Sequence, residues 1–429
     1  MNKKLIIILS LNLILLSVLS YFTPLLFWDE NAYLGNARSF VSEANYTENY
    51  RSPLVSWIIA GLWFFTGESI FFAKMIMVLF YVLTIYLFYL ITKNYFKKNL
   101  LITLLFSLSS LMIYWAFRIY VDVLGVFFIL LSFYLFTKNK IFFSGFIAGF
   151  AFLTKFPLII FGISTILYLF NKKDFKKILN YSIGILLVLI FWMIFNYFSY
   201  NDIFYDLKLY HFVVNSYNKF MSPIIFIKDM FIVLHIFLLL SILNIKRLFK
   251  NDKFRIMLIF VLLYILYIGF ISKVKFDRYL PVIISFIYIF AWDYIENLKN
   301  IKFKKILIKI SIILTILLLI FTLFKIGKQF SCDKNNSISQ TIDYLKNEKD
   351  IDVISNVWPW FGYYNNFRVH SFYSDINTLI KNHNPKYFIY SKGIGGPYDE
   401  NEFKKFNLEK KFNGKCGDSI YIYTKSKDI

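Results

Sequence analysis

The pentapeptide LTKFP, Leu153 to Pro157, decides how this chain is read. It interrupts an apolar stretch between Lys138 and Lys140 on one side and Lys172, Lys173, Lys176 and Lys177 on the other. A single crossing there would put the two basic clusters on opposite faces of a membrane. Cytoplasmic loops collect Lys and Arg, so both clusters belong inside. Two short spans satisfy that, and LTKFP supplies the turn. The residue before a proline resists helix, and proline has no N–H to donate. We therefore expect two short spans with Lys155 at the outer turn. One long tilted helix is the alternative.

The same logic runs in both directions along the chain. Hydrophobic residues make up 58% of it, and many apolar runs reach the ~20 residues that cross a bilayer. The net charge of +22 sits in short clusters between those runs, which excludes a nucleic-acid surface. The N-terminal run is longer than the usual ~7–15 residue signal core and lacks a small-x-small cleavage site before Trp28. It reads as an uncleaved first span, Leu5 to Phe27, with Lys3 and Lys4 inside. Further spans run from Ile70 to Thr92, to Trp115, and from Asp122 to Lys138. After the two short ones come Ile178 to Phe198, a return to the cluster Lys246–Arg255, a span out to Lys273, one back to Lys299, and one ending near Phe324. About eleven transmembrane helices result, with every major basic cluster on one side. The N-terminus is then cytoplasmic.

The segment SPLVSWIIAGLWFFTG, Ser52 to Gly67, is short for a span, and a crossing there would invert every later loop. It reads as a helix in the interface, where Trp57 and Trp63 suit the depth. The first outer loop then covers residues 28–69. The tail, 327–429, alternates a helical pattern (SISQTIDYLKNE) with strand patterns (DVISNV, KYFIYS, DSIYIYT), as a small extracytoplasmic α/β domain would. Its cysteines, Cys332 and Cys416, are the chain's two, and a disulfide between them fits an oxidising compartment. GIGG, Gly393 to Gly396, leads into PYDE rather than a helix and reads as a loop, not a dinucleotide fingerprint. Asn45 and Asn335 begin sequon matches short enough to arise by chance.

Charged residues that break apolar stretches fall mainly on the outer side: Asp29, Glu30, Arg38, Arg51, Arg118, Asp122, Lys155, Asp277 and Arg278. A transporter would more often spread such groups to the midplane within internal repeats, and the sequence shows no convincing repeat. An outer site mixing acids and bases is expected instead.

Five motifs then occur in order: WDENAYLGNAR, YRSPLVSWIIAGLWFFTGES, YVDVLGVFFILLSFYLF, GFIAGFAFLTKFP and KFDRYLPVI. With this topology the chain resembles the GT-C class of membrane glycosyltransferases, in the branch of protein O-mannosyltransferases and aminoarabinose transferases. The likeness covers residues 1–326, and many members also carry an outer C-terminal α/β domain. The resemblance implies transfer of a sugar from a dolichyl- or undecaprenyl-phosphate donor to a protein, lipid or glycan acceptor on the outer face of the plasma membrane. It implies Asp29 as catalytic base, with Glu30 beside it to position acceptor or base. It implies Arg51, Lys155, Arg278 and Tyr279 around the donor phosphate, and Asp122 as a recurrent acid at the start of the fourth span. The family often has two prolines after the basic residue and an acid before it. Here Ser52 and Pro53 follow Arg51 and Tyr50 precedes it, so acceptor or metal contacts at that point do not carry over.

The residues also have plainer readings. Asp29 and Asp122 suit helix N-caps. Arg51, Lys155 and Arg278 suit snorkelling at the interface, and Tyr279 an aromatic belt. Arg118 is an alternative partner for Asp122. His211, in the outer loop, either touches donor or acceptor or is an ordinary surface histidine, and His235 reads as packed or interhelically hydrogen-bonded within its span. No His/Cys spacing specifies a metal, and a divalent ion held by acids is left open. A polyprenyl-phosphate leaving group needs cations more than a proton, and an attacking hydroxyl needs a base. One base and a good leaving group suit inversion, whereas retention needs a nucleophilic carboxylate. The alternative function from another class is a transporter or flippase for the lipid-linked sugar.

Overall fold

A computed structural model describes residues 2–216, 221–371, 376–392 and 406–425. GIGG lies outside the described residues. The chain divides into two compact units: Met1–Ser20, Asn49–Val55 and Phe71–Leu323, and Tyr21–Glu48, Ser56–Ile70 and Phe324–Ile429.

The first unit is a helical bundle. Five of its helices have full crossing length: Lys3–Phe22, Ile70–Thr92, Phe175–Tyr200, Pro223–Leu243 and the run Asp252–Ile271. A sixth, Ile301–Asp333, continues into the second unit. The pair Asn99–Ser107 and Ser110–Ala116, bent by 55°, is either a broken span or a re-entrant loop. The other four expected spans are helices of 13 to 17 residues: Val121–Thr137, Ile141–Thr154, Ile159–Asn171 and Pro281–Asn297. Eleven helical segments among the described residues thus stand where the sequence pattern puts spans, and six have the length to cross unaided, or seven if the bent pair is one span. Ile7, Leu11 and Ile14 of the first helix, Phe191 and Ile194 of Phe175–Tyr200, and Phe321 lie exposed. Water-facing surfaces rarely carry apolar area on that scale, whereas lipid covers it.

Small residues set the packing of the shorter helices. A Cβ on Gly145 would lie 2.0 Å from the Tyr181 carbonyl oxygen, and one on Gly184 would lie 2.3 Å from that of Phe142. Helices Ile141–Thr154 and Phe175–Tyr200 therefore touch backbone to backbone, the close approach that small residues allow in membranes. On another face of Ile141–Thr154, Ser132 Oγ donates to Ser144 O at 2.7 Å and Ser144 Oγ to Ser132 O at 2.8 Å. The helix ends at Thr154, Lys155 is extended (φ −157°, ψ 115°), and a 3-10 turn, Phe156–Leu158, starts the next helix. The turn at LTKFP is a true break. His235 is not merely packed: its backbone (φ 36°, ψ −121°) kinks helix Pro223–Leu243.

The second unit is built on a mixed sheet of order β2-β1-β3-β5-β4. Its strands are β1 (Asp352–Ser355), β2 (Arg368–Ser371), β3 (Tyr387–Lys392), β4 (Asn407–Asn413) and β5 (Ser419–Thr424). β1 runs parallel to β2 and β3, while β5 is antiparallel to β3 and β4. Val353, Ile389, Ile420 and Ile422 of the sheet pack with Ile338, Leu345, Trp360, Phe361 and Leu25. Cys332 and Cys416 form a disulfide with Cα atoms 5.6 Å apart. Residues 28–48 and most of helix Leu54–Thr66 belong to this unit, not to the bundle. Phe64 and Phe65 of that helix are exposed, but Trp63 is buried and its Nε1 donates to Ser69 O at 2.9 Å. The Trp63 indole thus packs inside the protein rather than facing outward.

Candidate active site

In the bundle, the site residues gather where helix ends meet the LTKFP break. Helix Val121–Thr137 approaches the break closely because residue 125 is glycine: a Cβ there would lie 2.5 Å from Leu158 Cδ1. One turn earlier stands Asp122, whose side chain is 2% exposed. Lys155 Nζ donates to Asp122 Oδ1 at 2.6 Å. The same ammonium lies 3.8 Å from the centroid of the Tyr279 ring. Tyr279 ends the 3-10 turn Asp277–Tyr279 ahead of Pro281, and its carbonyl accepts from the buried Tyr264 hydroxyl at 3.2 Å. Arg278, from the same turn, sets its guanidinium carbon 4.9 Å from the Phe276 centroid and 5.7 Å from that of Tyr120. Four residues singled out by sequence, Asp122, Lys155, Arg278 and Tyr279, thus form one patch of charge on aromatic faces. Aromatic faces stabilise positive charge placed over them.

Three other candidates contact aromatic or polar side chains. Arg118 is 1% exposed, with Tyr114 and Phe117 rings 4.7 and 4.8 Å from its guanidinium carbon. Arg51 lies 5.2 Å from the Tyr50 centroid. His211 is exposed on helix Tyr205–Ser216, where its ring nitrogens meet Asn215 Nδ2 at 3.0 and 3.1 Å.

In the second unit, helix Trp28–Arg38 carries the acidic pair in its first turn. Asp29 is 8% exposed and Glu30 is fully buried. Glu30 Oε2 accepts the Phe27 backbone N–H at 2.7 Å, which satisfies one orphan donor at the helix start. Glu30 thus has a structural task at the position the resemblance gives to a second catalytic acid. The helix is mounted on the C-terminal domain. The Trp28 ring stands edge-on to Trp358 and Trp360 at 4.5 and 5.5 Å, and Trp360 Nε1 donates to Leu26 O at 2.8 Å. Tyr46 fills the space that Gly35 and Gly362 leave: added Cβ atoms would lie 2.8 and 2.3 Å from its ring. Its hydroxyl and Trp358 Nε1 both donate to Glu48 Oε1, at 2.7 and 2.8 Å.

Sequence reasoning passed over five buried charges among the described residues, Lys74, Lys275, Glu48, Asp206 and Asp293. Lys74 and Lys275 are 2% and 1% exposed. Lys74 interrupts an apolar run, which is itself a functional signal in membranes. Lys275 Nζ donates to Ser272 O at 2.7 Å. Glu48 gave no signal beyond its own charge. Asp206 opens helix Tyr205–Ser216 and accepts from Trp192 Nε1 at 3.2 Å. Burial pushes the Asp206 carboxyl up to about 6, against the opposing hydrogen bonds from Trp192 and Asn196. Among the described residues, no three His, Cys, Asp or Glu side chains group as a metal ion requires.

Residues 50–198 match the family model of dolichyl-phosphate-mannose-protein mannosyltransferases. No curated protein sequence matches the chain. Among solved structures, the chain is similar to ArnT from Cupriavidus metallidurans bound to undecaprenyl phosphate, with a TM-score of 0.71, 12% identity and 97% of each chain covered. It is also similar to the apo state of that protein, with a TM-score of 0.67, 11% identity and the same coverage. At that identity the likeness shows the fold. The chain is a multi-pass membrane protein with the GT-C fold seen in ArnT, and the match to the mannosyltransferase family model covers residues 50–198 of it.

Proposed function

We propose that the chain is a glycosyltransferase that moves a sugar from a polyprenyl-phosphate donor to a protein, lipid or glycan hydroxyl at the outer membrane face. One observation carries the reading. The Asp122–Lys155–Tyr279–Arg278 patch sits at a helix break, in a fold that matches a relative with undecaprenyl phosphate bound over 97% of each chain. In the reaction, the acceptor oxygen forms a bond to C1 as the bond from C1 to the phosphate oxygen breaks. The electron pair leaves on the polyprenyl phosphate, and the acceptor proton passes to Asp29. Lys155, Arg278 and Arg51 stabilise the charge that grows on the phosphate, with Tyr279 as the aromatic bed of Lys155 and Arg278. Asp122 is a positioning residue that aims Lys155. A single displacement inverts the configuration at C1. Glu30 holds the start of the helix that presents Asp29.

The test uses full-length protein in lipid with a panel of radiolabelled polyprenyl-phosphate sugars and an acceptor extract. The expected result is release of carrier phosphate with a labelled product, both lost in Asp29→Asn while the donor still binds. Donor binding without turnover in wild type, despite a full acceptor extract, would overturn the assignment.

A further inference from the structure

The bundle has a polar recess at the opposite end of its helices from the Lys155 patch. Helix Pro281–Asn297 shows the separation. It follows Tyr279 directly, and its last turns enter the recess through Asp293, Glu296 and Asn297. Its 17 residues span about 25 Å at ~1.5 Å per residue. The recess holds about 450 Å³. Five cations line it, Lys97, Lys98, Arg247, Lys253 and Lys304, against two carboxylates.

Both carboxylates are occupied by protein groups. Asp293 Oδ2 accepts from Arg247 Nε at 2.9 Å and from Asn244 Nδ2 at 3.0 Å. Glu296 Oε1 accepts from the Lys98 backbone N–H at 3.2 Å and from Trp292 Nε1 at 3.3 Å. Lys304 Nζ donates to the Glu296 carbonyl at 2.8 Å. These bonds hold the walls. Lys97, Lys98 and Lys253 are exposed, and their ammonium groups have no carboxylate partner among the described residues. Tyr95 and the buried Phe254, with ring centroids 5.5 Å apart, form an aromatic part of the lining. The chain enters and leaves apolar helices all around the recess, at Thr92, Arg255, Asn297 and Ile301. That is the depth of lipid headgroups, on the side where the basic loops gather.

We infer that this recess binds a phosphate group, that of an anionic phospholipid headgroup in the inner leaflet. Basic pockets between membrane helices on the cytoplasmic side recognise such headgroups. The inference is independent of the sugar-transfer reading, since no residue is shared.

The test is native mass spectrometry of the full chain released from nanodiscs of mixed phosphatidylglycerol and phosphatidylcholine. Wild type should retain phosphatidylglycerol preferentially. A variant with Lys97→Gln, Lys98→Gln and Lys253→Gln should lose it by about fivefold per lysine. A control with Lys138→Gln, Lys140→Gln and Lys173→Gln, on other basic loops of the same side, should retain it. A second arm adds inorganic phosphate or ADP to lipid-free protein in detergent and follows the melting temperature. Stabilisation lost only in the recess variant, without lipid retention, would keep the phosphate site and assign it to a soluble ligand. Equal loss in both variants, or no preference for phosphatidylglycerol together with no phosphate effect, would overturn the site.

Discussion

Replacing Lys155 by Met removes the cation bonded to Asp122 at 2.6 Å and leaves a carboxylate that is only 2% exposed. Breaking a buried ion pair from one side costs about 3–5 kcal/mol, because the remaining charge has neither partner nor water. Asp122→Asn should cost less, about 1–3 kcal/mol. The lysine side chain left behind is 13% exposed and rests 3.8 Å over the Tyr279 ring, so its charge keeps part of its stabilisation. The double variant contains no uncompensated charge. Its cost should fall below the sum of the two single costs by about 2–3 kcal/mol. The assay is denaturant unfolding of the four full-length proteins in mixed micelles, followed by tryptophan fluorescence, with donor binding measured on the same samples. Binding should fall in Lys155→Met and in the double variant by similar factors, and much less in Asp122→Asn. Additive unfolding costs within about 0.5 kcal/mol would refute the coupling, and with it the role of Asp122 in aiming Lys155.

Other consequences are equally direct. The Asp206 carboxyl is raised from 3.8 to about 6 by burial. The folded state therefore holds that proton more tightly than the unfolded one, and stability should fall as pH rises from about 4 to 6 and level off above. Asp206→Asn should flatten that step and add on the order of 3 kcal/mol at pH 7 in a pH series of unfolding curves. Gly145→Ala would set a methyl 2.0 Å from the Tyr181 carbonyl oxygen, so the helices must part. A loss of about 1–3 kcal/mol is expected, and an unchanged melting temperature would contradict the backbone contact. The disulfide closes a loop of sequence separation 84. Cys332→Ser with Cys416→Ser should cost up to about 4–5 kcal/mol, read as earlier protease cleavage in the C-terminal domain, with no cleavage difference counting against it.

The legible parts of this molecule are those in which one local rule decides the outcome. Basic clusters and apolar length located the six long apolar helices, because charge in lipid is costly at any position. Pro157 located the break that carries Lys155, because a missing N–H acts on its own neighbours. The pairing of Lys155 with Asp122, 33 residues away, was not legible. It depends on Gly125 letting one helix reach Leu158, a contact that no local pattern announces. The mounting of helix Trp28–Arg38 was hidden for the same reason. Trp28 meets Trp358 and Trp360 at the far end of the sequence, and the sequence pattern grouped the first loop with the membrane spans.

Asp29 and Glu30 show the limit most sharply. They are adjacent, both acidic and both buried, and a sequence pattern treats them as one motif. In a helix, neighbours point about 100° apart, so two adjacent acids cannot serve one direction. The structure spends Glu30 on the Phe27 N–H at the helix start. An acid at the third helical position has that backbone donor within reach, and one at the second does not. The division of labour therefore follows from where the helix begins, at Trp28, fixed between two tryptophans of the C-terminal domain. Moving that start back by one residue would put Asp29 at the third position and take Glu30 out of it. On this reasoning Glu30→Gln, which keeps an acceptor for the Phe27 N–H, should retain most transfer activity. Glu30→Ala should lose activity and stability together, because it frees the end of the helix that presents Asp29. If Glu30→Gln is as inactive as Asp29→Asn while folding normally, the carboxylate charge of Glu30 takes part in the chemistry, and the assignment of the two roles made here is wrong.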